Sequence, residues 1–463
     1  MASSVVSGCW LGGDGSDESE TGADPTFEVA ERQSFSEPPE LIARGGQLQA
    51  TLTIDEGKLE VAGSSVQGKS YNGSFPGPTM RVAPGDWIRL RFRNRLDEGT
   101  NIHFHGFHTS PSGIADNVLR SIPAHTTAKV ALPVPDDMSP GIYWYHSHEH
   151  HISEQQVFSG LSGLIVVEGL DRLLPPELRD ATQRLFALKD LQVKDGAIVT
   201  QQIDSSAPTT RTVNGLVAPV LEIAPGETQM WRLANISADI WYRLAFDGGR
   251  MHVIAEDANP VGQVWSAKKL LLPPGKRFDV LVRGPDRGSY AVKTVPYSTG
   301  KQGDAYPERT LAIVDSAGDA VEALKLPASL GPMPNLGDDP VARHRKFVFS
   351  ESSSGEQFFI NGKQFDENRV DVHAQLGTTE QWTIQNVSDE QHPFHLHIDD
   401  FQVMSVNGKP YRARSLQDTQ VLPVHGEVVI RPRFTQFTGK FVYHCHILAH
   451  EDNGMMGVIE VDR

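Results

Sequence analysis

The sequence predicts an all-β chain of three consecutive Greek-key β-sandwich domains, on three observations. One segment recurs three times: MRVAPGDWIRLRFRNRL (80–96), LEIAPGETQMWRLANIS (221–237) and VDVHAQLGTTEQWTIQNVS (370–388). A second marker follows in each unit: GIYWYHSH (141–148), GSYAVKTV (288–295) and GKFVYHCH (439–446). The composition, 42 Gly and 30 Pro in 463 residues, suits many short strands broken by turns.

Within the first marker, a turn glycine is followed nine residues later by asparagine: Gly85 to Asn94, Gly226 to Asn235, Gly377 to Asn386. Between them apolar residues alternate (Ile88, Leu90 and Phe92; Trp231 and Leu233; Trp382 and Ile384), the period of a half-buried strand. An Asn-Gly turn precedes each copy, at Asn72-Gly73, Asn214-Gly215 and Asn361-Gly362. The three glycines lie 141 and 151 residues apart, a domain length rather than a solenoid period. The chain therefore divides into a tether (1–40) and sandwiches at 41–172, 173–335 and 336–463. Helical signal is thin; one helix is expected over residues 175–186, in the link between the first two units.

Residues 12–26 are mostly Gly, Ser and acid, with Asp14, Asp17, Glu18, Glu20 and Asp24. Such a stretch buries too little apolar surface to fold, so residues 1–40 are expected to be a disordered acidic tether. Val6-Ser7-Gly8-Cys9 resembles a bacterial lipobox, which implies a lipid anchor at Cys9 and an extracytoplasmic place: periplasm, cell surface or secreted. No charged and apolar export signal precedes it, so a signal peptide is expected to have been cut away. A net charge of −16 argues against a nucleic-acid partner. No run of about 18 apolar residues offers a transmembrane helix. Cys9 and Cys445 are the only cysteines, and a bridge between them would consume the thiolate around which the last motif is built. No disulfide is expected.

The repeat also locates the chemistry. Nine and eleven residues after the asparagine stand His103 and His105 in unit one, His395 and His397 in unit three, but Leu244 and Phe246 in unit two. Five and seven residues after the second marker's glycine stand His146 and His148, then Lys293 and Val295, then His444 and His446. Residues i and i+2 of a strand share a face, so four His-x-His pairs from two domains can converge on one cavity. Eight neutral imidazoles suit copper clusters better than a single four-coordinate zinc. On the same strand Cys445 faces away from His444 and His446. With His392, His450 and the thioether of Met455 it forms the donor set of a blue-copper electron-transfer site. Its backbone links that site covalently to the histidine cluster.

His103-Phe-His105-Gly, WYHSH (144–148), HPFHLH (392–397) and HCHILAHEDNGMM (444–456) resemble the four copper motifs of the multicopper oxidases, most of all the three-domain bacterial laccases. The resemblance runs from about residue 45 to the C-terminus and implies three cupredoxin-like domains carrying four copper ions. It implies a type 1 copper on His392, Cys445, His450 and Met455. It implies a type 2 copper on His103 and His395, and a type 3 pair on His105, His146, His148, His397, His444 and His446. The implied reaction is that of a laccase, a benzenediol:oxygen oxidoreductase. Phenols or aromatic amines give up four single electrons at type 1, and O₂ is reduced to water at the trinuclear cluster. Asp116, in GIADN, and Glu451 fall where the family places proton-handling carboxylates.

Ile398-Asp399-Asp400 departs from the family pattern near type 1; the two acids either touch substrate or are solvated turn residues, and the second is expected. His108, His125, His150, His151, His252, His344, His373 and His425 are expected to be non-ligands. Asn72, Asn235 and Asn386 each begin an N-x-S sequon, yet their repeated turn and strand positions argue against glycosylation. A monomer is expected. Two other readings compete with the laccase: an oxidase of Cu(I) serving copper tolerance, and a copper-free scaffold of the same fold acting through protein contacts. The nine methionines form no run, which disfavours the first; all twelve ligand positions are filled, which disfavours the second.

Overall fold

The computed structural model describes residues 33–201, 203–204 and 208–463; the Cys9 reading and most of the tether lie outside them. Each third of the chain is a sandwich of one five-stranded and one six-stranded sheet. The strand Trp87–Asn94 buries alternate residues, as its pattern requires, with Ile88, Leu90 and Phe92 in the first core. The middle copy, Thr228–Asn235, is buried at every position. Its second face is covered too: Ala234 and Ile236 pack against Ile142, Trp144, Leu164 and Val166 of the first sandwich.

The five-stranded sheets share one order, in which the second-marker strand lies between the domain's last strand and the strand of the first His-x-His position. In the first sandwich these are β1 (His103–His105) and β2 (Gly141–His146), with a short helix α1 (Ser153–Ser159) following. In the third they are β3 (His392–Leu396) and β4 (Gly439–Cys445), followed by α2 (Leu448–Asp452). In the middle sandwich Leu244 and Phe246 fill the corresponding places and are buried in the core.

The repeated asparagines do one job three times. Asn72, Asn214 and Asn361 have φ of 55°, 57° and 53°, each followed by a glycine with positive φ, the conformation an Asn-Gly hairpin turn needs. Their Oδ1 atoms accept from Thr53 N, Ala187 N and Val348 N. Asn94, Asn235 and Asn386 end their strands buried. Their Nδ2 groups donate to carbonyls of the following loops: Glu98 O, Ile240 O and Glu390 O. Each thus holds the loop that leads into the first His-x-His position. Asn235 and Asn386 have no surface to offer a glycan.

Three expectations need correction. Residues 175–186 do not form a helix. Pro176–Leu178 is a single 3₁₀ turn and Gln183–Leu191 is a strand, running parallel beside Thr228–Asn235. Burial of Leu185 and Ala187 against the first sandwich overrides local propensity. Residues 33–40 are not free tether: Val220 N donates to Gln33 O and Phe35 N to Val220 O, while the Phe35 ring packs on Phe186. Val193–Lys194 and Ala197–Ile198, beyond the 173 boundary, complete the first sandwich's sheet, with Ala197 paired to Gln67.

Asn235→Ala should remove about 1–3 kcal/mol of stability, the cost of stranding buried loop carbonyls. Denaturant unfolding of the metal-free protein reads this as a lower midpoint, and an unchanged midpoint would contradict the role given to the loop.

Candidate metal centre

Strand register places the histidines before any tertiary contact does. In the antiparallel β1–β2 pair His103 lies opposite His146, and in β3–β4 His395 lies opposite His444. The two edges then meet across the first and third sandwiches. The rings of His103 and His397 stack at 3.9 Å between centroids, and those of His105 and His395 at 3.8 Å. The helices α1 and α2 clamp the same seam: Asp452 carboxylate oxygens accept from Ser153 N and Glu154 N at the start of α1, at 3.1 and 2.8 Å.

Four groups of donor atoms result, each spanning no more than 4.8 Å: His103, His105 and His395; His105, His146 and His446; His148, His397 and His444; and His392, Cys445 and His450. His444 Nε2 stands 3.4 Å from His148 Nε2 and 3.0 Å from His397 Nε2. His446 Nε2 stands 3.2 Å from His105 Nδ1. Cys445 Sγ lies 3.6 Å from His392 Nδ1 and 3.7 Å from His450 Nδ1, which are 3.2 Å apart. The centre of that triangle is about 2 Å from each corner, a metal–nitrogen bond length. Cys445 thus shares a group with neither of its neighbours in sequence. Strand alternation turns it to the other side. Met455 is buried and tied to both: its carbonyl accepts from Cys445 N and its N–H donates to His450 O.

The chemistry of these donors fits copper. His103 Nδ1 faces Asp116 Oδ2 at 3.0 Å, and His395 Nδ1 donates to Asp418 O at 2.9 Å. Each ring therefore turns its other nitrogen, Nε2, inward; both of these Nε2 atoms, and that of His146, are buried with no hydrogen-bond partner among the described residues. A lone pair so placed is costly unless a cation takes it. Burial holds His103, His105, His146, His397, His446 and His450 well below the usual histidine range. It holds His148 and His395 at about 3 and His444 at about 4. Repulsion between neighbouring imidazoles adds to this for all but His444. All are neutral near pH 7, the form that ligates. Burial also pushes the Cys445 thiol well above its ordinary range, so a thiolate there requires a metal beside it.

Both acids singled out in the sequence touch this cluster. Asp116 is buried, faces His103 and accepts from Phe104 N. Glu451 spans two rings, with Oε1 3.3 Å from His148 Nδ1 and Oε2 2.9 Å from His444 Nδ1, and accepts from Ser153 Oγ of α1. Other residues about the cluster escaped the sequence reading. Glu351 and Ser388 meet His392 Nε2 at 3.0 and 2.8 Å, and Glu390 lies 3.7 Å from His450 Nε2. Asp418 Oδ1 stands 3.2 Å from His105 Nε2. Glu390 carries one local signal, its place two residues before His392 and just ahead of β3. Asp418 carries no local signal; it stands 313 residues from His105.

Asp399 and Asp400 are not solvated, contrary to expectation. They are buried, and Asp400 Oδ2 takes His108 Nε2 at 3.1 Å and Asn259 Nδ2 at 2.9 Å, one partner from each of the other two sandwiches. That junction gathers polar groups that each domain alone would leave unpaired. None of the eight surplus histidines joins the four groups among the described residues.

Profiles of the multicopper oxidase family match residues 53–172, 179–318 and 339–463. Among curated proteins, the chain is 29% identical over 438 residues to multicopper oxidase mco of Staphylococcus epidermidis, covering 90% of this chain and 89% of that one. It is 27% identical over 461 residues to the cell division protein FtsP of Shigella dysenteriae, covering 94% of each. Among solved structures, a multicopper oxidase from Campylobacter jejuni described as a metallo-oxidase superposes with a TM-score of 0.82. It is 27% identical, and the match covers 94% of this chain and 96% of that one.

Burial opposes charge on His108, but the Asp400 carboxylate outweighs it and raises the imidazole to about 9. A folded value above the unfolded one of about 6.5 stabilises fully below pH 6.5 and is lost as pH rises through 9. The stability difference between wild type and His108→Gln should therefore shrink from pH 6 to pH 10 in denaturant titrations; a constant difference would contradict the pairing.

Proposed function

Since the chain belongs to the multicopper oxidase family, we propose that it is a laccase-type member, taking four single electrons from phenols or aromatic amines and reducing O₂ to water. The observation that carries this reading is that all four donor groups are complete, with one cysteine-bearing group joined by backbone to two histidine-bearing ones. His392, Cys445 and His450, with the buried Met455 thioether, would hold the type 1 copper. Type 2 is assigned to His103 and His395. The type 3 pair is assigned to His105, His146 and His446 on one side and His148, His397 and His444 on the other. Copper so held would supply one-electron transfer at the cysteine group and dioxygen reduction at the histidine groups.

The remaining residues hold the ligands and move protons. Asp116 fixes the tautomer of His103, and Glu451 orients His148 and His444 together. Burial raises both carboxyls above their ordinary range, the direction that suits groups handing protons toward the cluster. Reductants reach His450 through a cavity of about 280 Å³ lined by Tyr306, Phe358 and Ile447, with Asp239, Asp304, Glu351 and Glu390. Aromatic walls take a phenyl ring, and the carboxylates favour amines over acidic phenols. An extracytoplasmic, monomeric protein with a lipid anchor at Cys9 completes the proposal; among the described residues no helix is long and apolar enough to cross a membrane.

The same carboxylates favour a second reading, an oxidase of metal cations such as Cu(I), which the likeness to the Campylobacter jejuni enzyme also supports. Relative turnover of Cu(I) and 2,6-dimethoxyphenol separates the two, and a strong preference for Cu(I) overturns the laccase assignment. The likeness to the cell division protein FtsP suits a third reading, action through protein contacts; a copper-free scaffold of that kind has no need of buried, unpartnered imidazole nitrogens.

The purified protein should bind four coppers per chain, with a thiolate charge-transfer colour and EPR signals of both visible types; a protein that stays colourless after copper loading revives the scaffold. Cys445→Ser should lose the colour and turnover with every reductant while retaining three coppers and the type 2 signal.

A further inference from the structure

None of the middle sandwich's described residues joins the four donor groups, yet one of its turns reaches the histidine cluster. At Gly275, where φ is +84°, an added Cβ would lie 3.0 Å from atoms of both the His105 and the His446 rings. Two residues on, Arg277 is fully buried. It points its fork at Asp418 of the third sandwich, Nη1 donating to Oδ1 at 2.8 Å and Nη2 to Oδ2 at 2.7 Å. Its Nε donates to Ile142 O of β2, at 3.3 Å, on the strand that carries His146. Gly106, next to His105, leaves the room this pair needs: a Cβ there would sit 2.6 Å from Arg277 Nη2 and 2.7 Å from Asp418 Oδ2.

Asp418 is in turn the group that sets two rings of the cluster. Its Oδ1 stands 3.2 Å from His105 Nε2, and its carbonyl takes His395 Nδ1 at 2.9 Å. The middle sandwich holds its backbone as well, because Asp257 Oδ2 accepts from Asp418 N and Thr419 N at 3.3 and 3.2 Å. A planar guanidinium bound through two parallel bonds fixes the plane of a carboxylate, which a single-point ammonium cannot do.

We propose that Arg277 is a positioning residue for the trinuclear site, locking Asp418 so that it orients His105 and His395. The middle sandwich thereby acts on dioxygen chemistry although none of its described residues joins a donor group. This rests on the copper assignment above, and wild-type protein tests that assignment separately: fewer than four coppers in the wild type would count against the assignment itself.

In the full chain, copper-loaded Arg277→Gln should keep the type 1 colour and its anaerobic rate of bleaching by reductant. Its type 2 EPR parameters should shift, its copper content should fall below four, and reoxidation by O₂ should slow roughly 10- to 100-fold, the usual effect of losing a residue that orients a ligand. The kcat should drop while KM for the reductant holds. Arg277→Lys, which keeps the charge and loses the fork, should lie between. Wild-type type 2 parameters and reoxidation in Arg277→Gln, with only a lower unfolding midpoint, would reduce Arg277 to a strut and overturn the proposal. Should Arg277→Gln fail to fold, Arg277→Lys decides alone, and a wild-type type 2 signal in it overturns the proposal equally.

Discussion

The structure turns on a cost that no single domain could carry: imidazole nitrogens buried without a protein partner. Three Nε2 atoms, on His103, His146 and His395, are buried in the seam between the first and third sandwiches and find no hydrogen-bond partner among the described residues. Unpaired buried polar atoms cost on the order of 1–3 kcal/mol each, so the seam is unfavourable unless a cation occupies it. What keeps it assembled is on the other edge of the rings. Asp116 and the Asp418 carbonyl grip the second nitrogen of His103 and His395, and Glu451 faces that of His444. The fold thus holds the donors converged ahead of the metal and leaves the lone pairs for it.

Alternation along β4 divides that seam from its neighbour. His444 and His446 face the histidine groups, while Cys445, between them, joins His392 and His450. Three consecutive residues therefore belong to three different donor groups, because successive side chains of a strand point to opposite faces. The α2 turn that follows brings His450 back toward Cys445, and the Met455 carbonyl closes the loop on Cys445 N.

The middle sandwich explains itself in the same terms. Where the outer units place histidines it places Leu244 and Phe246, which it buries in its own core. Its strand Thr228–Asn235 lies against the first sandwich, and Lys276 and Arg277 meet acids of its own and of the third. Bidentate, fully buried ion pairs are poor net stabilisers but are strict about geometry. They suit an interface whose purpose is to fix angles between two other domains.

Much of this was legible in the chain. The strand alternation at Ile88, Leu90 and Phe92, the Asn-Gly turns and the four His-x-His pairs are local patterns, set by the period of two and by the αL preference of asparagine. They determined the three sandwiches, and the identity of the motifs determined the family. The helix expected over residues 175–186 failed because burial between two domains, invisible locally, made that segment a strand. Asp399 and Asp400 read as solvated for the same reason. Asp418, Arg277 and the division of six histidines into two sets of three were decided by tertiary structure alone. Those contacts join residues up to about three hundred positions apart, and only the packing of the three sandwiches sets which of many buried polar groups finds which partner.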